Sequence, residues 1–521
     1  MTSRKYRRLT SVASVLAILA LPALSQTVTI QTVDGNISIQ GRIMGFDGEN
    51  YDLDSAIGRT TIPAAAVVCI GEACPVIEDE SGLTGALAVL DRPSMAIFNE
   101  LIDSYVANRD LSMEREGGDA LSTTALNFTD DENEEAGRLE ITASSQEESF
   151  RALVSGEQKF VLSTAPIEDA LAEQLASEGF PDLRDPGREV IVALDAVVPV
   201  VHPTNNTRDI SLPVMARIAA GRIQNWSDLG GPDLPIRIVL PEDESSISKV
   251  FDERVMRPNR LRLNRRLERV ANEAEAAAIV KSDPAAISLV SNALAEETKR
   301  LPIRQVCGPL SLASDFSVKA EEYPLARRVL VYTSGEALSE GLKDLLSYAG
   351  SADAQAEYLE AGFVGQTVET VPMSLHGSRL ASAILAAETP EEFSVTRQLT
   401  QELTQADRIS TTFRFEAGST ELDNKSRRDA VRIASYLMQP ENADREILLF
   451  GFTDSVGRDD LNRLLSLQQA ERISQAIIDA STGQISRDRI SVTSYGSIAP
   501  VGCNDTVEGR NSNRRVEVWI R

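Results

Sequence analysis

Histidine is almost missing from this chain. His202 and His376 are the only two in 521 residues, and neither has a cysteine or a second histidine beside it. Histidine-based acid–base catalysis and a His/Cys zinc site are therefore poorly served. Cysteine is scarce too, with four residues and no C-x-x-C, which argues against thiol redox chemistry. Cys69 and Cys74 lie in VCIGEACP, with Gly71 between them to supply a turn, and a disulfide is expected there. Cys307 and Cys503 stand far apart, and the sequence leaves their pairing open. Positive charge is in deficit: 52 Lys and Arg face 78 Asp and Glu, for a formal charge of -26. Such a chain repels nucleic acid and anionic lipid surfaces. The apolar stretch Val12 to Leu24 has about 13 residues, against the ~20 that span a bilayer. It follows Arg4, Lys5, Arg7 and Arg8 and runs into Ala23-Leu24-Ser25, the pattern of a cleaved export signal over residues 1–25. No cysteine follows it, so a lipid-anchored form is not expected. An exported chain reaches an oxidising compartment, where disulfides persist.

What remains divides into units. Hydrophobic residues make up 42% of the chain, enough for sizeable cores, and the length suits about three folded units. Residues 26–78 alternate apolar and polar side chains around Asp34-Gly35 and Asp47-Gly48, which reads as a small β-rich module. Residues 80–368 mix short apolar runs with helical patterns. EVIVALDAVVPVVHP is β-branched and bounded by prolines, a buried-strand signal. SLPVMARIAAGRIQNW follows as a helix, with Ser211 at the N-cap, Pro213 in the first turn and Gly221 as the stop. LPIRIVLPED returns to strand. The alternation predicts an α/β architecture with a largely parallel sheet. Residues 369–408 read as linker helices, short and partly docked. Residues 409–521 read as a compact βα unit. Ala430, Ile433, Ala434 and Leu437 mark the inner face of its first helix, and Leu461, Leu465, Ile473 and Ile477 that of its second. In the last strand Val516, Val518 and Ile520 point one way, Glu517 and Trp519 the other.

Three motifs stand in order in the C-terminal unit: Gly451-Phe452-Thr453-Asp454, then Asn462 with Leu465-Ser466, then Gly509-Arg510 with Asn513-Arg514-Arg515-Val516-Glu517. With their strands and helices they resemble the OmpA-like peptidoglycan-binding domain over residues 409–521. The resemblance implies that a turn aspartate and a helix arginine grip the zwitterionic diaminopimelate of the stem peptide. The aspartate takes the ammonium, and the arginine takes the carboxylate as a charge-assisted pair. Asp454 carries over directly; without the resemblance it reads first as an Asx-turn residue. The arginine does not carry over. The family's L-S-x-x-R-A falls on Leu465-Ser466-Leu467-Gln468-Gln469-Ala470, so Gln469 stands where arginine is expected. Replacing a charged hydrogen bond by a neutral one costs roughly 1–2 kcal/mol. Arg472, one turn along the helix, and Arg510 and Arg514, on the last loop, are the substitute cations. The implied peptidoglycan-binding set is Asp454, Asn462, Gln469, Arg472, Arg510 and Arg514.

The middle segment carries a second resemblance. ALDAVVPVVHPTNNTRDISLPVMARIAAGRIQNWSDLGG, SDPAAISLV and KAEEYPLARRVLVYT are similar to the phosphate-binding periplasmic proteins of ABC transporters (PstS-like), over residues 80–368. The resemblance implies two α/β lobes around a cleft. It also implies an anion cage of backbone N–H groups, hydroxyls and an arginine. The first cage loop falls near Val89-Leu90-Asp91-Arg92, which has neither glycine nor hydroxyls. The second keeps its hydroxyls as Ser163 and Thr164, and the third as Ser245 and Ser246. Loop hydrogen bonding is the alternative role for Ser163 and Thr164. Pro241 falls where an arginine is common, and Glu242, Asp243 and Glu244 crowd the same loop. At 4–8 Å and an effective dielectric near 20, each like-charge contact costs ~2–4 kcal/mol before screening. Weak or absent phosphate binding is expected.

The fold class expected is therefore multidomain α/β and α+β: a small N-terminal β module, a two-lobed periplasmic-binding-protein-like domain and a C-terminal βαβαββ OmpA-like domain. The function expected is non-enzymatic, with no catalytic residues, no metal and no cofactor. The chain would anchor the two-lobed domain to peptidoglycan in the periplasm of a Gram-negative bacterium, peripheral to the outer membrane at most. A small anion or a protein is the expected partner of the cleft, and nucleic acid is not. The competing reading is a receptor for phosphate or another anion in a transport or sensing system, with a vestigial wall anchor.

Overall fold

A computed structural model describes residues 27–521, apart from 33–37, 47–49, 56–57, 64–66, 72–73, 75–81, 118–123, 243–244, 266, 335–337, 386 and 388. The export signal, the two Asp-Gly turns, Asp243 and Glu244 lie outside the described residues. By its contacts the chain forms two compact units, residues 1–80 and 81–521.

The first unit is an antiparallel sheet of five strands, in the order Gly58–Pro63, Asn50–Ser55, Ser38–Phe46, Val28–Thr32 and Val67–Ile70. Alternation puts Val28, Ile30, Tyr51 and Leu53 on one buried face. Cys69 and Cys74 are joined by a disulfide. The turn between them is closed by Cys74 N–H donating to Gly71 O, with Gly71 at φ +142°.

In the second unit, two lobes are built on one long strand, Glu189–Val201. Its first half pairs antiparallel with Ala326–Tyr332, and its second half antiparallel with Ala286–Ser291. Lobe one continues from Ala326–Tyr332 through Phe160–Ser163 to Gly85–Val89 and Glu135–Thr142, the last three mutually parallel. Lobe two continues from Ala286–Ser291 to Arg237–Pro241 and Glu268–Val270, again parallel. The sheet is thus mixed rather than largely parallel. The strand that passes between lobes runs against its neighbours in both, and an apolar pattern does not encode strand direction. The helix after it spans Leu212–Ala219, with Ser211 capping Val214 N–H and Gly221 at φ +70° just beyond its end.

The C-terminal domain runs strand Asp407–Arg414, helix Asn424–Leu437, strand Ile447–Phe452, helix Asp459–Ala480, strand Ile490–Gly496, helix Val507–Asn513 and strand Arg515–Ile520. The short helix Val507–Asn513 stands where a last loop was expected. It carries Arg510, and Arg514 is its C-cap. The segment read as a linker is part of this domain's fabric. Thr370–Pro372 pairs with Asp407–Arg414 as an edge strand. Helices Gly377–Leu385 and Pro390–Leu403 bring Ala383, Leu399 and Leu403 onto Phe450, Phe452 and Trp519. The opposite sheet face holds Ile433, Leu437, Ile473, Ile477, Val516 and Val518. That double cover is why Glu517 and Trp519 are buried as well.

One helix face differs from expectation. In Asp459–Ala480 the buried residues of the first three turns are Asn462, Ser466 and Gln469, whereas Leu461 is 54% exposed. The helix lies so close to the sheet there that a Cβ on Gly451 would sit 2.1 Å from Ser466 O. Leucine has no room at that contact, and small or hydrogen-bonding side chains take its place.

Candidate functional site

The junction of the lobes gathers Thr164, Ser246 and Asp91 with three buried charged residues not named above, Asp195, Glu273 and Arg327. Asp91 is the N-cap of helix Arg92–Asn108: its Oδ1 accepts from Ser94 N–H and Oγ–H at 2.9 and 2.8 Å. Its Oδ2 accepts from Thr164 N–H and Oγ1–H, both at 2.9 Å. A carboxylate of the protein itself therefore occupies the Thr164 donors, one of the hydroxyl positions expected to face an anion. The motif Asp-x-Pro-Ser, a capping residue with proline in the first turn, is the local signal for this role. Ser163 is satisfied within its own loop, donating to Ala165 O and accepting from Ala165 N–H. Ser245 caps Ser248 N–H. Ser246 Oγ accepts from Arg327 Nη1 at 3.0 Å. Arg327 also meets Asp195 at 2.7 Å and Glu273 at 3.7 Å, all three buried. Burial raises the Glu273 carboxyl to about 7, against the pull of Arg327. Glu242, by contrast, is exposed.

The C-terminal domain brings Asp454 to Arg514. Arg514 Nη1 donates to Asp454 Oδ2 at 2.7 Å, with both side chains about nine-tenths buried. Asp454 Oδ1 accepts from Val456 N–H at 2.9 Å, which makes the Asx turn, while Oδ2 meets Arg514. Arg514 also donates to Phe415 O at 3.1 Å and to Asn511. Asn462 holds the loop by donating to Asp454 O and Val456 O. Arg510 donates to Asn504 O, and Asn504 Oδ1 accepts from Ser455 N–H. Gln469 does not join this group. It is fully buried and donates to Ser419 O at 2.7 Å, leaving Oε1 without a partner. Arg472 does not join either; it is exposed one turn further along and shares no hydrogen bond or ion pair with Asp454 or Arg514. Gln469 thus points into the core contact and Arg472 into solvent.

Residues 117–353 match the PBP superfamily domain, and residues 414–514 match the OmpA family. The chain joins a PBP superfamily domain to an OmpA domain. Outer membrane porin F of Pseudomonas fluorescens is 30% identical over 116 residues, 22% of this chain and 34% of that protein. The peptidoglycan-binding protein ArfA of Mycobacterium tuberculosis is 33% identical over 77 residues, 15% of this chain and 23% of that protein. The chain spans less than half the length of the curated relatives it matches. An ABC-type phosphate transport receptor from Vibrio cholerae aligns at 15% identity and a TM-score of 0.40, over 54% of this chain and 99% of its own. Both domain families are binding or structural families.

The PBP and OmpA domains meet along a polar seam. Cys307, in lobe two, is bonded to Cys503 of the OmpA domain. Arg328 bridges Glu321 at 2.8 Å and Asp423 at 2.9 Å. Arg408, fully buried, donates to Glu322 at 2.6 Å. Asn424 donates to Arg184 O of lobe one at 2.9 Å. Beside this seam lies a chamber of about 1940 Å³, lined by Thr164 and Arg254 on the PBP side and by Arg510 and Arg514 on the OmpA side.

Proposed function

We propose that this chain is a non-enzymatic cell-envelope protein that ties its PBP domain to peptidoglycan through its OmpA domain. The observation that carries this reading is the Asp454–Arg514 pair, joined at 2.7 Å in a nearly buried loop. A diaminopimelate end carries an ammonium and a carboxylate on one carbon. Its ammonium replaces Arg514 on Asp454 while its carboxylate takes Arg514. Each protein charge exchanges one partner for another and neither is left bare, which keeps the desolvation penalty small. Arg514 thus supplies the cation that Gln469 does not. The kinship with a relative named for peptidoglycan binding supports the same ligand class, and the kinship with outer membrane porin F supports an envelope location. In the PBP cleft Asp91 already holds Thr164 and the helix N-terminus, so phosphate is not its ligand.

Retention of the full chain on isolated peptidoglycan sacculi tests the tether. Wild type and Arg472→Ala are expected to be retained alike, and Asp454→Asn and Arg514→Gln to be lost. Equal retention of all four would sink it. Titration calorimetry with inorganic phosphate is expected to give no binding heat; micromolar affinity would restore the receptor reading.

A further inference from the structure

The chamber between the domains is larger than either half-site requires. Its volume of about 1940 Å³ is about twice the upper end of the range of roughly 300–1,000 Å³ for pockets that hold a drug-sized ligand.

Both walls present guanidinium groups. Arg254, on the PBP turn Asp252–Met256, donates from Nη1 to the main-chain oxygens of Pro324 and Ala326 at 3.1 and 2.6 Å. Arg510, on the OmpA helix Val507–Asn513, donates to Asn504 O at 2.8 Å. Among the described residues neither has a carboxylate within ion-pair distance, in a chain with a formal charge of -26. Main-chain oxygens orient such groups without neutralising them, so each keeps an attraction for an anionic ligand group. Burial lowers the Arg254 pKa from its ordinary value, as expected of a cation with too little solvation. Glu321, Glu253 and Glu508 act on Arg254 in the opposite sense, and Arg254 lines the same chamber as Glu508 and Arg510 of the OmpA helix. Arg514, at the end of that helix, lines the chamber and holds Asp454.

We infer that this chamber is one composite site for a short peptide bearing a free ammonium and more than one carboxylate, a soluble fragment of the wall stem peptide, gripped by both domains at once. The inference rests on the reading of the OmpA domain as a peptidoglycan binder. Arg514 and Asp454 take the amino-acid end of the peptide, Arg510 and Arg254 its other carboxylates. The seam ion pairs and the Cys307–Cys503 bond hold the two walls at fixed spacing, so binding orders little of the protein.

The test uses the full chain, calorimetric titration with a synthetic stem peptide containing diaminopimelate, and sacculus retention in parallel. Arg254→Gln and Arg257→Glu alter the PBP wall alone. Arg257 also lines the chamber, and its side chain is 71% exposed with an ion pair to Asp252, so this change spares the fold. Wild type is expected to bind the peptide, and a variant with an unshifted unfolding midpoint to bind it at least fivefold more weakly. Where Arg254→Gln unfolds, Arg257→Glu decides. Peptide affinity within twofold of wild type in the folded variants overturns the composite site and leaves the wall tether standing. Retention on sacculi without binding of the free peptide does the same. Binding of neither overturns both.

Discussion

In the PBP cleft a carboxylate rests on donors suited to an anion; in the OmpA domain a guanidinium rests on an acceptor suited to a cation. The two arrangements mirror each other in charge, yet they differ in what each occupant does besides filling its place. Asp91 makes four hydrogen bonds, two of which cap the helix that begins beside it. Displacing it would leave a helix end and a buried loop unsatisfied together. Arg514 keeps Phe415 O and Asn511 whether or not it touches Asp454. A site filled by its own chain is closed when the occupant is part of the frame, and exchangeable when the occupant has other partners to fall back on.

Five substitutions test that contrast. The largest loss is expected from Asp454→Ala or Arg514→Ala, each of which strands one charge of a nearly buried pair. Chemical denaturation should record about 3–5 kcal/mol. Next comes Glu273, raised by burial from 4.5 to about 7. Between those two values the folded state holds a proton that the unfolded state has released. Stability conferred by that proton is therefore present at acid pH and is lost as pH rises through about 7. Glu273→Gln removes the titration, so wild type should lose on the order of 3 kcal/mol relative to the variant between pH 4.5 and pH 8. Parallel pH curves for the two proteins would contradict this. Asp91→Asn keeps the shape but turns an amide group toward Thr164 N–H. A loss of about 1–2 kcal/mol in thermal unfolding is expected. Smallest is Arg472→Ala, on an exposed helix face, which should stay within about 0.5 kcal/mol of wild type.

Local structure was largely legible in the sequence. The stripe Ala430, Ile433, Ala434 and Leu437 is buried as its period demands, and Ser211 caps its helix. Cys69 and Cys74 pair across a glycine turn that five residues can close. What escaped was long-range. Arg514 meets Asp454 across 60 residues, Thr164 meets Asp91 across 73, and Arg327 meets Asp195 across 132. No local pattern encodes such meetings, because side chains at those separations are brought together only by the packing of whole layers. The polar stripe Asn462, Ser466 and Gln469 failed differently: periodicity rewards leucine, and here the nearness of Gly451 excludes it. The capping role of Asp91 is by contrast local, since proline and Ser94 follow it in the first turn.

The bond between Cys307 and Cys503 has a mechanical consequence for the two lobes. Cys307 belongs to lobe two, and the OmpA domain it is welded to also holds lobe one, through Asn424 on Arg184. A third body is thus strapped across a pair that shares one continuous strand as its pivot. If lobe two swings, it must drag the OmpA domain with it and tear Asn424 and Asp423 from lobe one. In this chain the pivot is splinted, and the splint is the OmpA domain itself.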